Sequence, residues 1–225
     1  MTGLAAPQSA SDTKARVLQA AARLFAERGF RGTTAREIAE RAGVNLAAAH
    51  YHFGSKEALY IEVLRAQFDA LTSELTRRRA RLPAGSGMRR PALIALLRRR
   101  IAAMLELLLG PAGRLHGALM LRELCDPSDA LPHIVARFIA PMKLELEAIV
   151  AALAPHLGPA AIERCVFSIV GQVFFYRTHL PVLRQMLAGR DFDAPALRAI
   201  AAHIAVFSLG GMERLAHEPR RRRPR

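Results

Sequence analysis

The chain has no tryptophan, only two cysteines and only three lysines among 225 residues. Cys125 and Cys165 lie far apart with no CxxC partner, which excludes a disulfide framework or a cysteine zinc site. Both are expected as small buried residues in helices. No unbroken apolar run approaches the roughly 18 residues of a membrane span, so no membrane partner is expected. The opening MTGLAAPQSASDTK lacks the basic start and apolar run of a secretory signal. A disordered leader over residues 1–11 and a cytoplasmic protein are therefore expected. Nucleophile elbows, HExxH pairs and glycine-rich phosphate loops are missing as well. An enzyme with a site hidden among the eight histidines is accordingly the weaker reading, and no catalytic residue, cofactor or metal ligand is expected.

Acid is scarce too. Thirty-three basic residues against nineteen acidic ones leave a net charge of +14. That excess suits a polyanionic partner, because each neutralised phosphate releases counterions and adds sequence-independent affinity. Anionic membrane surfaces attract the same charge, and a preference for arginine and alanine is also what a GC-rich genome produces. The residues are 52% hydrophobic and 23% charged, normal for a soluble chain with a sizeable core.

What is present is helix. Apolar residues recur at three- and four-residue spacing, and no run alternates long enough to make a strand, which predicts an all-α fold. Ser11, Asp12 or Thr13 can cap a first helix whose stripe is Val17, Leu18, Ala21, Leu24 and Phe25, ended by Gly29. Thr34 and Glu37 have capping-box spacing at the start of a second helix. Gly43 then turns the chain, and Asn45 caps a third helix over residues 46–53. A fourth begins after Gly54-Ser55. Helices this short must pack on the first, through Leu24, Phe25, Ile38, Val44, Ala49 and Phe53. Two of them joined by a tight turn match a helix-turn-helix. Further helices are expected over residues 91–109, 114–125, 131–154, 160–187 and 196–216, separated by glycine- and proline-rich breaks.

The segment TTAREIAERAGVNLAAAHYHFGSKEAL, residues 33–59, closely resembles the signature of the TetR family of regulators. More narrowly, VNLAAAHYHFGSKEALY resembles the CecR-like branch, and MLRELCDP and SIVGQVFFYR are similar to that branch's regulatory domain. The resemblance implies a three-helix DNA-binding domain at 12–58, a helical regulatory and dimerisation domain at 59–217, and a disordered basic tail at 218–225. Nine arginines between residues 77 and 100 read as a solvated face or inter-helix links, with DNA contact the alternative.

Helix geometry assigns roles within the signature. Leu46, Ala47 and His50 share one face and are the expected base readers, the first two towards thymine methyls. Ala49 and Phe53 should point inward. The resemblance makes Thr34, Tyr51, His52 and Lys56 phosphate clamps, with Arg36 joining from the second helix. Against this, Tyr51 can be core and His52 can cap a turn. Thr33, Asn45 and Ala48 complete the expected DNA-facing set. The larger domain is expected to dimerise through stripes at Ile162, Val166, Ile169, Val170, Val173 and Phe174, and at Leu197, Ile200, Ile204, Phe207 and Leu215. The same stripes read equally as intrachain core.

Candidate effector contacts are His116, Met120, Arg122, Glu123, Phe138, Met142, Phe175, Tyr176, Arg177 and His179, although Met and Phe at helical spacing are more often core. The expected function is a dimeric transcriptional regulator on a palindromic double-stranded DNA operator, a repressor released by a small-molecule effector. The alternative is a ligand-independent or architectural DNA-binding protein.

Overall fold

A computed structural model describes residues 10–77, 87–111, 113–189 and 192–217, with the side chains of 70–77 and 216–217 outside the description. The helices are α1 (Ala10–Arg28), α2 (Ala35–Ala42), α3 (Leu46–Phe53), α4 (Lys56–Arg77), α5 (Arg90–Leu109) and α6 (Arg114–Cys125). There follow α7 (Leu131–Ile134), α8 (Ala140–Leu153), α9 (Pro159–Thr178), α10 (Leu180–Met186) and α11 (Ala194–His217). The described residues contain no strand.

Two compact units divide the chain, Met1–Arg77 with Leu115–Val135, and Arg78–Arg114 with Ala136–Arg225. The boundary expected after residue 58 does not coincide with either. The first unit keeps α4 and recruits the stretch from α6 through α7. Most of the leader and the whole basic tail lie outside the described residues, as do the arginines at 78, 79 and 81. Ala10 and Ser11, placed in the leader by sequence, are helical.

In the first unit the α1 stripe packs with Val17, Ala21, Leu24 and Phe25 at 1% exposure or less, while Leu18 is half-buried. Phe25, Phe30 and Tyr60 make an aromatic cluster, Phe25 and Tyr60 meeting edge to face at 4.8 Å. The recruited segment is held by polar bonds. Tyr60 on α4 donates its hydroxyl to Glu123 Oε2 at 2.8 Å, and the backbone N–H and hydroxyl of Ser128 donate to Glu123 Oε1 at 2.9 Å each. Glu123 is fully buried, so these donors replace the water its carboxylate has lost. Burial and the Glu123 carboxylate together push the Tyr60 phenol far above its usual pKa, so the hydroxyl keeps its proton and donates. Arg122 donates to Glu27 O at 2.6 Å, meeting a free carbonyl near the α1 C-terminus.

The second unit is built around α5. Its buried Leu93, Leu96, Leu97, Ile101, Met104, Leu105 and Leu108 follow helical spacing and meet the apolar faces of α8, α9 and α11. Pro91 occupies the first turn of α5, where its missing N–H removes no helical bond. Arg90 pairs with Glu213 and donates to Leu153 O, and Arg100 pairs with Glu145. These two arginines of the 77–100 run are thus links between helices. Two expected helices are broken. A π-helical turn at Val135–Ile139 interrupts the 131–154 stretch, because Pro141 has no N–H to return to the carbonyl four residues earlier. His179 separates α9 from α10, since Pro181 disfavours a continuous helix there. Cys165 is buried as expected, but Cys125 at the end of α6 is exposed, and both are free thiols. The stretch Ala194–Leu215 is long and apolar enough to cross a membrane by length and composition, with mean hydropathy 1.3. Its Leu197, Ala201, Ile204, Ala205 and Met212 nevertheless form a buried stripe in the core.

Removing the Tyr60 hydroxyl as Tyr60→Phe is expected to destabilise the protein by about 1–2 kcal/mol. Urea unfolding should show a lower midpoint with an unchanged m-value; an unchanged midpoint would contradict this account of the Glu123 contacts.

Candidate nucleic-acid interface

The interface begins with two short helices that need outside help to keep their shape. Thr34 is the α2 N-cap: its hydroxyl accepts from Glu37 N at 3.2 Å, and Glu37 Oε2 accepts from Thr34 N at 2.8 Å. Hydrogen bonds from Thr34, and then the charge of Arg28 at 2.7 Å, hold the Glu37 carboxyl below its usual pKa. Gly43 ends α2 at φ 64°, a left-handed conformation that a side chain would strain. Arg16 on α1 donates one guanidinium nitrogen to Ala42 O at 2.5 Å and Gly43 O at 2.8 Å, stapling this turn to the scaffold helix. Asn45 then caps α3, its side chain accepting from Ala48 N at 2.6 Å.

α3 turns its faces as the spacing predicts. Ala49 is buried and Phe53 half-buried, whereas Leu46, Ala47 and His50 are exposed. Tyr51 is 86% exposed, which rules out a core role in this chain, and its ring meets His52 edge-on at 5.4 Å. Ala48 and His52 are half-buried. Arg36 projects from α2 with its side chain 81% exposed, pairing with Glu40 one turn on at 3.2 Å. Arg36, Leu46, Ala47, His50 and Tyr51 are therefore presented to solvent from α2 and α3.

Two expected contacts need correction. Thr33 is fully buried, and its hydroxyl donates to Gly29 O at 2.9 Å and Leu24 O at 3.3 Å. It closes the α1–α2 turn and has no surface to offer a phosphate. Lys56 is drawn inward: its Nζ donates to Phe30 O and Thr33 O, both at 3.2 Å, and lies 4.2 Å from the centre of the Phe30 ring. An ammonium has three hydrogens, so one remains for a phosphate while two fix the turn. Arg16 was not anticipated, because its carbonyl partners lie 26 and 27 residues on and no local pattern announces them.

The expected effector contacts divide between the two units. His116, Met120, Arg122 and Glu123 lie in the first, where Arg122 and Glu123 are engaged as described above. Phe138, Met142, Phe175, Tyr176, Arg177 and His179 lie in the second. Phe175 stacks on His179 with ring centres 4.4 Å apart. His116 is 2% exposed against Phe68, and neither ring nitrogen has a hydrogen-bond partner among the described residues. The Arg177 Nε is likewise buried and unpartnered.

The description "Bacterial regulatory proteins, tetR family" matches residues 17–63, and "HTH-type transcriptional dual regulator CecR, C-terminal domain" matches residues 93–212, more than half of the chain. The chain belongs to the TetR family of bacterial transcriptional regulators. Its C-terminal domain is of the CecR type. The HTH-type transcriptional repressor KstR2 of Rhodococcus jostii is 44% identical over 71 residues, covering 29% of this chain and 35% of that protein. The regulator RutR of Escherichia coli is 47% identical over 62 residues, covering 28% and 29%. The chain thus matches about a third of the length of these curated relatives. The fold extends further. A transcriptional regulator from Rhodococcus sp. Rha1 superposes with TM-score 0.62 at 23% identity, covering 88% of this chain and 96% of that one. HlyIIR, a hemolysin II transcriptional regulator, gives 0.57 at 24% identity, covering 87% and 98%.

Burial holds the His116 ring well below the ordinary imidazole range, at about 4. As pH drops below about 6.5 the unfolded chain takes up a proton that the folded chain refuses, so stability falls between there and about 4 and then levels off. The loss attributable to this residue should reach about 3 kcal/mol. Urea midpoints from pH 7.5 to 4.5 should fall less steeply in His116→Leu than in the parent; parallel curves would count against a buried neutral ring.

Proposed function

We propose that the chain is a dimeric transcriptional repressor that binds a palindromic operator and leaves it when a small-molecule effector binds. The observation that carries this reading is the presentation of α3: the base-reading candidates Leu46, Ala47 and His50 stand exposed while Ala49 is buried beneath them. A recognition helix reads base edges with its first turns, and phosphate contacts on either side set its register. Tyr51, Arg36, Thr34, His52 and the free hydrogen of Lys56 serve as those phosphate contacts. Asn45 and Ala48 bring the α3 N-terminus, and its positive dipole end, to the backbone.

One recognition helix spans too few base pairs for a specific site, so two copies act on two half-sites. The surface for pairing keeps only Phe207 and Leu215 of the expected stripes. Val166, Ile169 and Val173 on α9, and Leu197 and Ile204 on α11, belong to the chain's own core, with Ile162, Val170, Phe174 and Ile200 packed against it. The apolar side chains left facing outward are Phe167 at 55% and Phe175 at 47% exposure on α9, with Val206 at 57%, Phe207 at 68% and Leu215 at 44% on α11. Gly171, Gly210 and Gly211 interleave with them and have open space where a Cβ would stand, room for a partner helix to approach closely.

Effector contact draws either on His116 and Met120 in the first unit or on Phe138, Met142, Phe175, Tyr176, Arg177 and His179 in the second. The unpartnered nitrogens of His116 and Arg177 support it, since buried polar groups ordinarily find a partner and a ligand can supply one. Transmission to the reading head runs through α4, which carries Lys56 at its start and the Glu123-bonded Tyr60 one turn later. A 100-fold drop in operator affinity needs only about 2.7 kcal/mol of differential effector binding between the two states. The working location is the cytoplasm, with the chromosome.

Selection from a random duplex library tests the regulator reading, with an operator expected to bind at least about 10³-fold more tightly than random duplex. Equal binding to both would indicate an architectural protein. Against the selected operator, Arg36→Ala should weaken binding to all sequences alike and reduce the slope of log K on log salt by about 0.9. A retained slope would place Arg36 away from the phosphates.

The pairing surface has its own test. Phe207→Glu buries an unpaired charge if α11 pairs between copies, and sedimentation should then show a monomer where the parent is a dimer. A dimer of unchanged dissociation constant would put the interface elsewhere.

A further inference from the structure

A neutral imidazole has one nitrogen that donates and one that accepts, and which is which decides what it can read. His50 lies three and four residues beyond Ala47 and Leu46, so the three share one face of α3. Its Nδ1 sits 2.6 Å from the carbonyl oxygen of Gly54. A carbonyl has no hydrogen to give, so Nδ1 carries the proton and donates it. Nε2, at the far edge of the ring, therefore keeps its lone pair. His50 is exposed, and no described residue engages Nε2.

The turn that receives the proton is itself fixed. Gly54 ends α3 at φ 73°, and its N–H donates to His50 O at 2.8 Å. His50 and Gly54 are thus joined twice, backbone to backbone and ring to backbone. The second bond selects the tautomer before any DNA arrives.

We propose that His50 reads its base as a hydrogen-bond acceptor, taking a hydrogen from the exocyclic amino group of adenine or cytosine in the major groove. Only those two bases display a donor there; guanine offers N7 and O6, and thymine offers O4 and a methyl group. A guanine opposite Nε2 would set two acceptors against each other. Leu46 and Ala47 beside it form no side-chain hydrogen bonds, so the amino group read by His50 is the polar landmark of this face, flanked by methyl contacts. The proposal rests on the DNA-reading role of α3.

The test uses the intact chain at pH 8 and a duplex enriched from a random library by the wild-type protein. Each adenine of the selected half-site is replaced in turn by purine, and each cytosine by 2-pyrimidinone, which delete the major-groove amino group. One such replacement is expected to weaken wild-type binding by about 3- to 10-fold, the worth of one hydrogen bond. It should leave His50→Ala unaffected. His50→Gln, which keeps a side-chain acceptor, should retain the sensitivity and decides the matter if the alanine variant loses its helical circular dichroism. The proposal is overturned if no deletion matters, if it matters equally in His50→Ala, or if that variant relaxes preference at a guanine or thymine. Failure to enrich any duplex over random DNA is a separate outcome and defeats the regulator reading itself.

Discussion

Helices of eight residues do not persist alone in water, because nucleation costs more than two turns of hydrogen bonds return. Everything at the interface depends on relieving that constraint from outside. The relief comes from donors aimed at backbone carbonyls where helices end. Arg16 meets the end of α2, Thr33 meets Leu24 and Gly29 at the end of α1, and Lys56 meets the connecting turn. Arg16 satisfies acceptors that the end of α2 leaves open and faces the negative end of its dipole, while Thr33 and Lys56 hold the turn between α1 and α2. α1 is the template on which α2 and α3 hold a fixed angle, and the exposed face of α3 is its product.

The same logic extends to residues far away in sequence. Glu123 is a carboxylate with no access to water, and it is stable only because Tyr60 and Ser128 surround it with hydrogens. Arg122 beside it reaches the last turn of α1. Two consecutive residues of α6 thus grip two different helices of the reading head, one through a buried bond and one through an exposed one. Any shift of α6 has to move or break both, so the reading head is sensitive to that helix by construction.

The sequence was most informative where partners are close in the chain. The Thr34–Glu37 box, the Asn45 cap, the left-handed glycines at 29 and 43 and the inward turn of Ala49 all depend on neighbours within a few residues, and each was legible. Thr33 was misjudged, and the inward pull on Lys56 missed, for the opposite reason. Both are polar residues of a DNA-binding motif, and only the fold reveals that the Thr33 hydroxyl and two of the three Lys56 hydrogens are committed to backbone carbonyls. The apolar stripes of α9 and α11 showed that these helices have buried faces, but periodicity cannot say whether a face is covered by its own chain or by another. The core took Val166, Ile169 and Ile204 and left Phe167 and Phe207 outside. His50 lies between these cases: its position on the face follows from spacing, while its tautomer required the position of the Gly54 carbonyl.

The bond between Tyr60 and Glu123 also sets an order of events during synthesis. A ribosome releases the residues of α1 to α4 first, and the hydroxyl of Tyr60 then has no carboxylate to meet. Its partners Glu123 and Ser128 are made some fifty residues after α4 ends, about 3–10 s later at 5–20 residues per second. The nascent reading head passes that interval without its buried lock. Packing of the reading head is therefore completed only when the middle of the chain has been made, before α9 and α11 exist.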